Sequence, residues 1–131
     1  MFTNEYKKKC DELSNVIIGC AIEVHKQLGP GLLESAYESC LCHELTGKNI
    51  EVKRQELLPI NYKGEQVDAG YRIDILVNDL VIIELKTVES VLPIHRAQLM
   101  TYLRLSDKWL GLLINFNVKL LKQGIERIVN G

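Results

Sequence analysis

The chain has 131 residues, of which 47% are hydrophobic and 25% are charged, and its formal net charge is −1. These values are ordinary for one soluble domain with one hydrophobic core, so we expect a single domain over residues 1–131 that needs no disulfides. Non-specific binding to a polyanion relies on many lysines and arginines. The bulk charge therefore excludes a general polyanion binder unless the 16 basic residues are concentrated on one face.

The N-terminal segment, residues 1–11, is polar and lacks the apolar stretch of a signal peptide. No apolar run approaches the ~20 residues that a membrane span needs. We therefore expect a cytoplasmic protein with no membrane partner. In that compartment its four cysteines are expected to be reduced thiols.

Two amphipathic helices are predicted in the first third of the chain. Before the break at Gly29-Pro30-Gly31, apolar residues recur at helical spacing, which predicts a helix over about residues 4–28. Proline and glycine end it, because proline cannot continue a helix and glycine tolerates positive φ. The same spacing predicts a second helix over about 32–46, before the polar segment Thr46–Asn49.

Alternation of apolar and polar residues begins at about residue 50. It predicts three strands, over about 50–62, 66–77 and 80–88. Pro93 suits the first turn of a helix that runs to about residue 105. Two further strands, over about 109–115 and 118–128, are predicted to close the domain. The order ααβββαββ indicates an α/β fold.

The segment Tyr71–Lys86 predicts a hairpin whose register decides which side chains meet. A two-residue turn would place Asp74 opposite Ile83, whereas a three-residue loop, Asn78 to Leu80, would pair Asp74 with Glu84. The three-residue loop leaves one face wholly aliphatic, which burial favours. That face reads Ile73, Ile75, Val77, Val81, Ile83 and Leu85, and the other reads Arg72, Asp74, Leu76, Ile82, Glu84 and Lys86.

In this register two carboxylates and one ammonium lie on the same face of the hairpin. Hard cations such as Mg²⁺ take oxygen ligands, commonly one or two carboxylates. Lys86 follows Glu84 by two residues and points the same way, where it could position water or stabilise charge on a phosphate. On the pattern alone, an ordinary cross-strand ion pair on a solvated sheet face stays open as the alternative.

Three separated motifs carry a resemblance to a known family. Asp74 followed by Glu84-Leu85-Lys86 resembles the PD-(D/E)XK nuclease superfamily, with Ile73 where a proline is expected. Gln98 and Tyr102, one helical turn apart, look like the Gln-x-x-x-Tyr element of many members. The segment Gly31–Tyr37 is similar to the signature of the GxxExxY family, a bacterial group of that superfamily. The resemblance covers about residues 12–128.

The resemblance implies a restriction-endonuclease-like core, with a mixed central sheet of about five strands flanked by helices. It implies a Mg²⁺- or Mn²⁺-dependent nuclease that acts on nucleic acid, with DNA as the expected substrate and a homodimer as one assembly. Asp74 and Glu84 would bind the metal, with the backbone carbonyl of Leu85 and with Glu34. Lys86 would orient water or steady developing charge, and Gln98 would orient the substrate or the lysine. Glu34, Asp74, Glu84, Lys86 and Gln98 are thus the expected catalytic set.

Two other functions are kept open. A non-catalytic nucleic-acid-binding or assembly module on the same scaffold would suit the near-neutral charge and small size. An enzyme acting on a non-nucleic phosphodiester ranks third.

A zinc site is not expected, because Cys40 and Cys42 are separated by one residue and point apart on a helix. His25, His95 and Tyr37 each have a structural role as the alternative to a site role.

Overall fold

The computed structural model describes residues 1–131 and begins with two helices, α1 (Asn4–Leu28) and α2 (Glu34–Gly47). The Thr3 side chain accepts a hydrogen bond of 3.1 Å from the Tyr6 N–H and so caps the start of α1. Gly29, with φ of 68°, ends this helix. Both predicted N-terminal helices are confirmed. None of the helices has the length and apolar character needed to cross a membrane.

The remaining elements form a central sheet, a small hairpin and one helix. In chain order they are β1 (Val52–Leu57), β2 (Ile60–Tyr62), β3 (Glu65–Val67), β4 (Arg72–Val77), β5 (Val81–Lys86), α3 (Pro93–Ser106), β6 (Leu110–Asn115), a 3₁₀ turn (Leu121–Gly124) and β7 (Ile125–Val129). The five-stranded sheet has the order β1-β4-β5-β6-β7, and β2 and β3 form a separate pair. Only β5 and β6 are parallel, with α3 as their crossover. The predicted α/β fold with a mixed five-stranded sheet is confirmed.

The hairpin of β4 and β5 has the register that the three-residue loop predicts. Ile75 pairs with Ile83 and Val77 with Val81, so the same register sets Asp74 opposite Glu84. Asn78 and Asp79 at the loop have φ of 50° and 55°, a left-handed conformation that Asn and Asp tolerate. The register prediction is therefore confirmed.

Both faces of the sheet are buried, by different helices. The larger core packs α1 and α2 against the β4–β5 face that carries Ile75, Val77, Val81, Ile83 and Leu85. The smaller core packs α3 against the opposite face, where Leu76 and Ile82 are buried. Because helices cover both faces, β5 is apolar along most of its length.

The prediction that Ile73 belongs to the first face is wrong, since Ile73 packs with Leu76 and Ile82. The change of face occurs at Asp74, which has no ladder partner on β1. Its position there is opposite Gln55, whose φ of 50° interrupts the strand.

Three predicted strands are shorter than expected. The predicted strands 50–62 and 66–77 are each divided in two, by the segment around Pro59 and by Gly70 with φ of 80°. Proline lacks the N–H that a ladder needs, and a positive φ turns the chain out of the sheet. The predicted strand 118–128 starts only at Ile125, because the 3₁₀ turn precedes it.

Candidate active site

Asp74 and Glu84 lie where the backbone hydrogen bonds between β4 and β5 end. There, their carboxylates accept hydrogen bonds from the backbone of the opposite strand. The backbone N–H of Asp74 donates to Glu84 Oε1 at 3.2 Å, and the N–H of Leu85 donates to Asp74 Oδ2 at 2.8 Å. Each carboxylate thereby satisfies an amide of the opposite strand. These two bonds hold a pair of acidic side chains next to each other in one orientation.

The two carboxylates occupy an environment that disfavours their charge. Glu84 is 6% exposed, and burial, reinforced by the Asp74 charge, raises its pKa to about 8. Burial also raises the pKa of Asp74, with the Leu85 N–H opposing the rise and Glu38 adding to it. Lys86, half-buried at the end of β5, acts on both groups in the opposite direction. Burial and the neighbouring carboxylates therefore disfavour the charged forms of both groups, and Lys86 only partly opposes this.

Helix α2 contributes two further carboxylates on one face, Glu34 and Glu38. Desolvation raises the pKa of Glu34. The charge of Lys86 lowers this pKa and the charge of Asp74 raises it, so Glu34 interacts electrostatically with both groups of the hairpin. Glu38, one turn later, is buried and accepts hydrogen bonds from Arg54 Nη2 at 2.9 Å and from Gln55 Nε2 at 2.7 Å. The structure thus brings Glu34, Asp74, Glu84 and Lys86 into one neighbourhood.

Gln55 and Glu38 are members of this neighbourhood that sequence reasoning missed. Gln55 Nε2 also lies 3.4 Å from Asp74 Oδ1, so the amide bridges α2 and β4. Its φ of 50° is unusual for a non-glycine residue in a strand and costs about 1 kcal/mol or more. The four-residue spacing from Glu34 is a sequence signal for Glu38, whereas nothing in the local pattern marks Gln55.

Helix α3 approaches the site through Tyr102. Burial raises the pKa of Tyr102 to about 12, and the charges of Glu84 and Asp74 add to the rise. Gln98 interacts with the Tyr102 side chain and opposes this shift. The hydrogen bonds of the structure do not join Gln98 to Asp74, Glu84 or Lys86, so its link to the carboxylates runs through Tyr102.

The end of β5 is held by Asn115, a second residue that the sequence did not mark. Its buried amide accepts from the Val88 N–H at 3.1 Å and donates to the Val88 carbonyl at 2.9 Å. The Phe116 N–H donates to the Lys86 carbonyl at 3.0 Å. These bonds fix the backbone that carries Lys86 against the neighbouring strand β6.

No group of three or more His, Cys, Asp or Glu side chains is arranged here to hold a metal ion. The donor chemistry of the hairpin still fits a hard divalent cation, because Asp74 and Glu84 supply paired carboxylate oxygens. Burial first, and neighbouring carboxylates second, raise the pKa of both groups, and a bound cation would favour their charged forms. Ligation by Glu34 and by the Leu85 carbonyl stays a prediction.

Tyr37, His25 and His95 have structural contacts away from the carboxylate pair. Tyr37 is fully buried, stacks on Phe116 with ring centroids 4.3 Å apart, and donates from its hydroxyl to the Gly29 carbonyl at 2.5 Å. His25 Nε2 lies 2.8 Å from the Val118 carbonyl oxygen, and His95 Nδ1 accepts from the Leu92 N–H at the start of α3. The four cysteines form no disulfides in the structure.

One of three comparisons with known proteins identifies a family for this chain. A family model described as the PD-(D/E)XK nuclease superfamily matches residues 11–128, nearly the whole chain. No curated protein and no solved structure matches the sequence significantly. The matched span includes both helices, the hairpin with its acidic pair, and α3. The chain therefore belongs to the PD-(D/E)XK nuclease superfamily.

Proposed function

We propose that the protein is a Mg²⁺- or Mn²⁺-dependent nuclease that hydrolyses phosphodiester bonds of nucleic acid, with DNA as its substrate. The observation that supports this most is the carboxylate pair of Asp74 and Glu84. Two acidic groups are held together by backbone hydrogen bonds although burial and, after it, the charge of Asp74 raise the pKa of Glu84. Maintaining such an arrangement without a cation is costly, and strongly shifted pKa values in a cluster favour a functional site.

The proposed roles follow from position. A divalent cation, when bound by Asp74 and Glu84, supplies Lewis acidity at a phosphate oxygen and lowers the pKa of a water molecule. Lys86 is placed beside both carboxylates, where its ammonium would orient the attacking water or stabilise charge on the phosphate. Glu34 would add a third carboxylate from α2, and Gln98 would orient the substrate or Lys86. Gln55 would hold Asp74 in orientation.

We further propose that the chain is of the GxxExxY type, because Gly31, Glu34 and Tyr37 have the spacing of that signature. Each of the three residues has a different environment in this structure. Gly31 has φ of 98° in the turn between the helices, Tyr37 anchors that turn, and Glu34 faces the hairpin charges. The signature would therefore describe how α2 presents Glu34 to the site.

A cleavage assay tests the proposed function. Purified protein is incubated with Mn²⁺ or Mg²⁺ and with single-stranded, duplex and branched DNA, and with RNA. Asp74→Ala and Glu84→Ala are expected to abolish cleavage, and Lys86→Ala to slow it by at least about 100-fold. Glu65→Ala, which removes an exposed carboxylate on β3, is the matched control and should cut at the wild-type rate.

Circular dichroism of each variant shows whether the fold is retained. The proposal is overturned if the wild type cuts none of these substrates with either metal. It is also overturned if the Asp74→Ala variant cuts as fast as the wild type, since the activity would then come from elsewhere. A folded protein that binds nucleic acid but cuts none would favour the non-catalytic binding module.

A further inference from the structure

A basic groove of about 740 Å³ lies between the C-terminal end of α1 and the chain that follows β6. Three lysines line it, Lys26 from the last turn of α1, Lys119 from the loop after β6, and Lys122 from the 3₁₀ turn. His25 also contributes to the lining. None of the residues that line this groove is an aspartate or a glutamate. This absence is notable in a chain with 17 acidic residues and a net charge of −1.

The three lysines are free to bind an anion. Each is exposed, and none takes part in an ion pair of the structure. Apolar side chains such as Ile22 and Leu121 also line the groove and can pack against the lysine stems. Three unpaired ammonium groups in one concave surface create a positive potential that attracts extended anions.

The groove is joined to the candidate active site by short connections. The Phe116 N–H donates to the Lys86 carbonyl, and Phe116 is the first residue of the loop that carries Lys119. The carbonyl oxygen of Val118 lies 2.8 Å from His25 Nε2, a contact that ties this loop to α1. Because β5 and β6 are parallel, Lys86 and the loop after β6 lie at the same edge of the sheet.

Two further contacts keep the groove in place. Gly124 packs so closely on the Asn115 carbonyl oxygen that an added Cβ would lie 2.1 Å from it, which seats the 3₁₀ turn against the end of β6. On the opposite side, the Tyr37 hydroxyl binds the Gly29 carbonyl, and Tyr37 lies one turn from Glu34. Hydrogen bonds thus connect the backbone around the groove to the helix that carries Glu34 and to the strand that carries Lys86.

We propose that this groove binds the phosphodiester backbone of the nucleic-acid strand that enters the candidate active site. The inference rests on the proposed function for the identity of the anion. Lysines bind phosphates as point charges and carry no direct sequence information. The groove would therefore add affinity without base specificity and would supply the concentrated positive charge that the overall composition lacks.

The test measures binding without cleavage. A fluorescently labelled 20-nucleotide single strand is titrated with protein in EDTA, and anisotropy gives the dissociation constant at several KCl concentrations. The triple variant Lys26→Gln, Lys119→Gln, Lys122→Gln should bind at least about tenfold more weakly at low salt. The slope of log K against log salt should fall by about 2, because each neutralised phosphate of a single strand contributes about 0.7.

The matched control is Lys8→Gln, Lys9→Gln, Lys48→Gln, which removes the same charge. These lysines are exposed at the opposite ends of α1 and α2. The control should keep its salt slope and bind within about twofold of the wild type. Equal weakening of both triple variants would overturn the groove and indicate a bulk charge effect.

The outcomes separate this inference from the proposed function. If the wild type cuts no substrate but the groove variant still loses affinity and salt slope, the groove is supported while the nuclease fails. If the wild type cuts nucleic acid and the groove variant binds like the control, the groove is overturned while the nuclease stands. A wild type that does not bind the oligonucleotide at low salt overturns the groove as well.

Discussion

At the scale of single residues, the candidate site depends on two carboxyl groups that accept hydrogen bonds from the backbone and whose charged forms are disfavoured by burial. Asp74 and Glu84 accept hydrogen bonds from amides of the facing strand, so their positions do not depend on a metal. Gln55 has a left-handed backbone conformation, and its side-chain amide contacts both Asp74 and Glu38. A residue that keeps such a conformation next to an acidic cluster is typical of a site whose geometry matters more than its stability.

The raised pKa of Glu84 predicts how the stability of the metal-free protein depends on pH. The folded protein holds this proton up to about pH 8, whereas the ordinary pKa of the carboxyl is 4.5. Between these values the folded state binds more protons than the unfolded state, so the free energy of unfolding should fall as pH rises. The contribution of one group is at most about 1.4 kcal/mol per pH unit.

Urea denaturation in EDTA across pH 4.5 to 8.5 measures this effect. Glu84→Gln keeps an oxygen that can accept from the Asp74 N–H but has no proton to lose. The variant should gain stability over the wild type toward pH 8, and the difference should vanish near pH 4.5. Wild-type and variant curves that run parallel over the whole range would show that Glu84 titrates normally.

At the scale of elements, the turn between α1 and α2 is held by one side chain. The Tyr37 hydroxyl donates to the Gly29 carbonyl and accepts from the Leu32 N–H, while its ring stacks on Phe116. This arrangement sets the direction in which α2 leaves the turn, and therefore where Glu34 lies. A motif tyrosine that looks like a site residue in the sequence is thus a packing and anchoring residue in the fold.

Replacing Tyr37 with Phe tests this assignment. The ring is kept and two hydrogen bonds are lost, so the free energy of unfolding should fall by about 1 to 2 kcal/mol. Tyr62→Phe is the matched control, because Tyr62 is 61% exposed and its hydroxyl makes no hydrogen bond in the protein. Chemical denaturation and the cleavage rate are both measured. A large loss of cleavage with unchanged stability would instead indicate that Tyr37 contacts the substrate.

At the scale of the whole molecule, the helices, the sheet and the loops after β5 and β6 place opposite charges side by side. Acidic groups collect at the hairpin, and unpaired lysines collect in the neighbouring groove. The near-zero net charge hides this separation, so composition alone could not reveal it. The homodimer that the small size suggests stays a prediction.

Metal binding should be visible as stabilisation of the whole fold. A cation that binds only the folded state at 100 times its dissociation constant stabilises by about 2.7 kcal/mol, which corresponds to roughly 5 to 15 °C in Tm. Thermal unfolding with increasing Mn²⁺ should therefore show a rising Tm for the wild type. The rise should be absent in Asp74→Asn and preserved in Glu65→Gln. The same rise in Asp74→Asn would place the metal at another site.

Local rules were enough to predict the helices, the fold class and the hairpin register. The spacing of apolar residues depends only on neighbouring positions, and an error of one residue in the hairpin would have exposed a whole aliphatic row. The local pattern of the hairpin therefore predicts that Asp74 lies opposite Glu84, which is the register of the structure. The strand ends at Pro59 and Gly70 were missed, because alternation continues across both positions.

What only the tertiary structure decided is which distant residues meet. Gln55 reaches Asp74 because one residue of β1 adopts a left-handed conformation, and no periodicity encodes that. Lys26 and Lys119 are separated by most of the chain and line the same groove because α1 and the end of β6 pack together. The sequence by itself determined the elements and the acidic pair, since those follow from local alternation. The surroundings of the pair follow from long-range packing, which no local pattern specifies.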